Sequence, residues 1–109
     1  MRPRQERPQK AEEVARLKGM GHAVERLRRE ADMTQAALAR ATRLHYRTVG
    51  KIERGEVDAR WATLRQIARG LGVELRDLMS LAIELAPGRG GGWLRRKERE
   101  AREAEARHR

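Results

Sequence analysis

Between His45 and Gly55 the chain reads HYRTVGKIERG. Tyr46, Arg47, Gly50, Lys51 and Arg54 recur three and four positions apart, which puts them on one face if the segment is helical. That face carries three cations and a phenol, so it offers positive charge and hydrogen-bond donors. Only Val49 and Ile52 remain to anchor the opposite side. Other chemistries find no support in the sequence. With no Cys there is neither a disulfide nor a thiolate metal site,. His22, His45 and His108 lack ligand spacing, so no metal and no cofactor is expected. There is no Ser–His–acid, Cys–His or phosphate-loop pattern, and the adjacent Glu12 and Glu13 have no pocket to work in. No enzyme is expected.

A chain of 109 residues fits one small domain with tails,. It has no Phe, one Tyr and two Trp, so its core must come from Leu, Val, Ile, Ala and Met. Scarce aromatic and β-branched residues favour packed helices over a sheet. The formal net charge of +10 predicts attraction to polyanions, nucleic acid before anionic membrane,. No apolar run approaches the roughly 20 residues of a membrane span. The N-terminus has no signal-like apolar core, and a soluble, cytoplasmic protein is expected.

The elements that must position the basic face follow from the apolar spacing. Residues 1–19 carry six Lys or Arg against three Glu and read as a basic arm. MRPRQERPQK is expected to be extended and AEEVARLK to form a turn or two of helix, with Gly19 and Gly21 as punctuation. Val24, Leu27 and Ala31 predict a helix over 22–31. Thr34 is an N-cap for a second helix at 35–42 that buries Leu38 and Ala39. A third helix covers 46–53, stopped by Gly55. Trp61, Leu64, Ile67, Ala68 and Leu71 share a stripe of a fourth helix over 58–71, which Gly72 ends. Leu75, Leu78, Met79 and Ala82 begin a fifth. Pro87 and the run GRGGG then break the pattern. The domain is thus placed at 20–86, with 87–109 a Gly-rich linker and a charged C-terminal helix. Trp61 and Trp93 are expected to be packing residues.

Several spaced features coincide in one pattern. They are Leu27 and Arg28, TQAALA at 34–39, Thr48, Val49, Ile52, Glu53, Arg54 and Gly55, and TLRQIARGLGVELRDLM at 63–79. On these the chain resembles the phage-repressor (lambda-repressor-like, XRE) helix-turn-helix family from about Gly21 to Leu78. The resemblance implies an all-α, five-helix domain with charged extensions. It also implies a bacterial or phage repressor-type regulator that binds double-stranded DNA. A helix about 10–12 Å across with its side chains fits a major groove about 12 Å wide, so helix 46–53 would read sequence there.

Under that resemblance Tyr46, Arg47 and Lys51 are the base-reading candidates, and Gly50 allows close approach. Arg47 suits paired hydrogen bonds to guanine O6 and N7. Thr34, Gln35, Arg43, His45, Thr48, Arg54 and Arg60 are candidates for the DNA backbone. Arg28 and Glu53 look like the family's internal ion pair. Two positions depart from the pattern. Arg43 stands where the family places a left-handed Gly, at a cost of about 1–2 kcal/mol. His45 replaces the usual Ser or Thr cap of the third helix. A homodimer is expected, joined through Leu78, Met79, Ala82 and Ile83. One alternative is an antitoxin-like protein that binds a toxin through 93–109 and autoregulates its operon. Another is non-specific association of the charged tails with nucleic acid or membrane.

Overall fold

Gly19 and Gly21 do not break the chain; both lie inside one helix, α1, running from Pro3 to Glu30. The computed structural model describes residues 3–107, including the side chains of 10–88 and 98–107. After α1 come α2 (Gln35–Thr42), α3 (Tyr46–Glu53), α4 (Trp61–Leu71), α5 (Leu75–Leu85) and α6 (Arg89–Arg107). The described residues are all-α, as expected. Three boundaries differ from the sequence reading. The arm is helical from Pro3 rather than extended, and α4 begins at Trp61 rather than at 58. Residues 90–92 lie within α6 rather than in a linker.

Close packing explains why two helical glycines persist, although each costs about 1 kcal/mol against alanine. At Gly19 the α1 backbone lies on α5: a Cβ there would strike the Ala82 carbonyl and come within 2.8 Å of the Ala86 Cα. At Gly21 it lies on the end of α3, where a Cβ would be 2.6 Å from the Ile52 carbonyl oxygen. Val24, Leu38, Val49, Ile52, Ile67 and Leu78 are fully buried and join all five domain helices in one core.

That packing corrects two expectations. Leu78 and Ala82 are buried in the core, so they are not available as a dimer surface. Trp61 is 62% exposed. Its spacing matches Leu64, Ile67, Ala68 and Leu71, but it opens α4, and the core covers the stripe only from Leu64 onward. Trp93 lies outside the described side chains, and His108 outside the described residues.

Four helices end in the same way, with a left-handed residue and an N–H that reaches back five positions. The Met33 N–H donates to Arg28 and Leu44 to Ala39, at 3.0 and 3.1 Å. Glu56 donates to Lys51 and Val73 to Ala68, at 2.9 and 3.0 Å. Glycine holds the left-handed position after α3 and in the α4 ending, but Asp32 (φ 55°) and Arg43 (φ 61°) hold it after α1 and α2. The turn after α2 therefore keeps the geometry glycine would give and carries the steric cost of a Cβ. Replacing Arg43→Gly is expected to raise unfolding free energy by about 1 kcal/mol in urea denaturation.

The loop after α3 is tied to α1 by Arg16, whose Nη1 and Nη2 donate to Asp58 at 3.2 and 3.1 Å. These bonds hold the Asp58 carboxyl below its ordinary value of 3.8. A depressed carboxyl stabilises the fold above its unfolded pKa, and the gain disappears as pH falls through the folded one. Both side chains are over half exposed, so the pair is worth only about 0.2–1 kcal/mol,. The stability difference between wild type and Asp58→Asn should therefore be present at neutral pH and close as pH drops below 3.8.

Candidate nucleic-acid interface

α3 is a short helix held by one side. Val49 and Ile52 point into the core, while Tyr46, Arg47, Lys51 and Arg54 are exposed and Thr48 is half-buried. His45 caps the helix: its Nδ1 accepts from the Arg47 N–H at 3.1 Å. The imidazole also stacks on Tyr46, with ring centroids 5.5 Å apart. Because its acceptor nitrogen is committed to the helix start, His45 is a fixed part of the face. Thr34 caps α2 in the same sense, accepting from the Ala37 N–H at 3.0 Å.

Gly50 departs from the sequence reading. It lies on the outer face but is buried rather than open, because two polar side chains cover it. A Cβ there would lie 3.0 Å from Arg54 Nη1 and 3.7 Å from Gln35 Oε1.

One buried network sets the angle of α3 against its neighbours. Arg28 Nε and Nη2 donate to the two Glu53 carboxylate oxygens at 2.6 and 3.1 Å. Arg28 Nη1 donates to the Met33 carbonyl at 2.8 Å. Gln35 Nε2 donates to Glu53 Oε1 at 2.8 Å. The carboxylate of α3 is thus gripped from α1 and from the first residue of α2. Hydrogen bonding to Glu53 raises the Arg28 pKa further, so the cation persists at every working pH. Among the described residues no buried side-chain nitrogen or oxygen lacks a partner.

Around this core, Arg43 lies exposed in the turn before α3, and Arg60 lies exposed at the N-cap position of α4, making no cap bond with its side chain. Arg43 and Arg60 therefore flank the α3 segment in sequence, while Gln35 reaches it directly through Glu53. Glu56 was not anticipated. Its carboxylate takes Arg54 Nε at 2.7 Å and Nη2 at 3.4 Å. That contact holds the Glu56 carboxyl below its ordinary range and raises Arg54. The only sequence signal was an acid two residues after an arginine.

Exposed cations on a rigidly seated helix can meet phosphates, while planar and amide groups can meet base edges. No helix among the described residues is long and apolar enough to cross a membrane.

Comparison with known proteins agrees with this geometry. The helix-turn-helix family model HTH_3 matches residues 24–78. Among solved structures, the chain is similar to the restriction-modification controller protein C.AhdI from Aeromonas hydrophila, with 29% identity and a TM-score of 0.56. That match covers 57% of this chain and 94% of the other. A structure of the clp gene regulator ClgR from Corynebacterium glutamicum shares the fold at 22% identity and a TM-score of 0.64. It covers 85% of this chain and 94% of ClgR. No curated protein matches the chain. With half its length and its whole buried network inside the matched region, the chain belongs to the XRE-type helix-turn-helix family of DNA-binding regulators.

Proposed function

We propose that this protein is a repressor-type transcriptional regulator that recognises a specific DNA sequence by laying α3 in the major groove. The observation that carries this reading is the seating of α3. One side is locked by Val49, Ile52 and the Arg28–Glu53 pair, while Tyr46, Arg47 and Lys51 stand exposed on the other. Arg47 pairs with guanine O6 and N7, and Tyr46 and Lys51 contact neighbouring bases or their methyl groups. Thr34 and Gln35 bring the α2 N-terminus to a phosphate, where unpaired backbone N–H groups favour an anion. Thr48, Arg43 and Arg60 hold further phosphates. These contacts supply most of the affinity and little of the sequence preference. C.AhdI is a controller protein and ClgR a gene regulator, which supports the same role here.

A single α3 spans few base pairs, so the protein acts as a homodimer on a palindrome, with half-site centres about 10–10.5 bp apart. With Leu78 and Ala82 buried, the dimer contact falls on the outer edge of α5, at exposed Ile83 and half-buried Met79. Both line an open apolar groove of about 820 Å³ shared with Leu17 and Met20 of α1.

Selection of bound sequences from a random duplex pool at two salt concentrations tests the proposal. A palindromic motif enriched at both is expected. Binding that merely collapses as salt rises, with no enriched motif, would leave charge as the only attraction.

A further inference from the structure

The middle of the α3 face belongs to a residue beyond the helix. Gly50 has no side chain to present, and the space where one would start is occupied by the tip of Arg54. The Arg54 Nη1 and Cζ lie 3.0 and 3.8 Å from the place a Cβ at position 50 would take. A side chain at a helix end leans toward the N-terminus over the residue four positions earlier, so this placement follows from helix geometry.

The guanidinium is also aimed. Glu56 accepts from Nε at 2.7 Å and from Nη2 at 3.4 Å. That occupies the Nε side of the fork. The terminal edge remains, with the two N–H bonds of Nη1 and one of Nη2 uncommitted to Glu56. Two parallel donors on that edge match guanine O6 and N7.

The carboxylate discriminates between the two roles such an arginine can play. A phosphate clamp works by charge, and an acid 2.7 Å from it both neutralises the cation and adds a negative group beside the phosphate,. Base reading works by direction, which the acid supplies.

On the reading that α3 lies in the major groove, we propose that Arg54, laid across Gly50 and oriented by Glu56, reads a base edge at the centre of the α3 face. Arg54 is then a specificity-determining residue. Glu56 is its positioning residue, and Gly50 is the gap that lets the guanidinium lie there.

The test uses the full chain, the duplex selected by wild type, and its single-base-pair variants, with Glu56→Ala, Gly50→Ala and Arg54→Ala compared at fixed salt. Glu56→Ala removes a negative charge, so binding to unrelated duplex should tighten. Discrimination at one base pair should nonetheless fall by about tenfold, and these opposite movements separate aiming from charge. Gly50→Ala should lose discrimination at the same base pair. Its thermal midpoint should hold or rise, because alanine favours the helix and the atom displaced is the flexible end of Arg54. In an Arg54→Ala background neither substitution should change base preference further.

Two results among the variants would overturn this proposal alone. Glu56→Ala could tighten all binding and leave every base preference intact, making Arg54 a backbone contact. Gly50→Ala could alter preference equally with and without Arg54, making position 50 the reader. A wild type with no sequence preference overturns the α3 reading and this proposal together, and that result is visible before any variant is made.

Discussion

Glu53→Ala should cost roughly 3–5 kcal/mol of stability, the range for stranding one member of a buried ion pair. The side chains of Arg28 and Glu53 are 11% and 4% exposed, so water cannot replace the lost partner. Removing the carboxylate leaves Arg28 with the Met33 carbonyl and deprives Gln35 of its acceptor. Domains of this size have only about 5–15 kcal/mol in total, so a large share of the variant should unfold in mild urea. Arg28→Ala should be similarly damaging, and Arg28→Lys only partly tolerated, because an ammonium cannot make the two-pronged contact. The double variant Arg28→Met with Glu53→Leu provides the decisive contrast. Apolar replacement of both partners avoids the stranded charge, so it should be more stable than either single variant. A double-mutant cycle in urea would show strong coupling; additive losses would mean the pair is not buried as a unit.

Gly21→Ala is the second large effect, and here intrinsic helix preference and packing oppose each other. Alanine within α1 should gain about 1 kcal/mol from helix preference alone. The added methyl, however, would sit 2.6 Å from the Ile52 carbonyl oxygen and 2.8 Å from the Glu53 carbonyl carbon. These are backbone atoms of α3 and have no rotamer to yield. The helices must separate, opening the core at Ile52 and pulling Glu53 from Arg28. A net loss of about 3 kcal/mol is expected, at the upper end of ordinary overpacking. Thermal unfolding should show it as a fall of roughly 12–24 °C, given about 4–8 °C per kcal/mol for domains of this size. Gly50→Ala is the natural control, since its methyl meets only side-chain tips. If both glycines tolerate alanine equally, α1 does not lie against α3 as described.

What the sequence disclosed and what it hid follow one physical division. Local signals marked α2 and α3 well: Thr34 as cap, Leu38 and Ala39 inward, Val49 and Ile52 inward, and Gly55 in the left-handed region all stand where spacing put them. Arg43 holds the left-handed turn of the expected motif despite its Cβ. Apart from element boundaries, the misreadings depend on what lies across the chain. Gly19 and Gly21 looked like breaks because a glycine's reason for being in a helix is the neighbour it touches, here Ala82 and Ile52. Trp61 matched the α4 stripe but falls beyond the end of the core. Leu78 and Ala82 looked free because their spacing does not reveal the core around Leu78 or the α1 backbone that lies on Ala82 at Gly19. Gly50 read as open because nothing local reveals that Arg54 and Gln35 close over it. The Arg28–Glu53 ion pair was anticipated through family resemblance.

The most direct test of recognition by α3 is the affinity of Arg47→Ala for the selected duplex and for an unrelated duplex, measured at one salt concentration. A loss of about 10- to 100-fold on the selected duplex, with a much smaller change on the unrelated one, is expected if Arg47 reads a base. Equal weakening on both would reduce Arg47 to a phosphate contact and contradict sequence readout through that side chain.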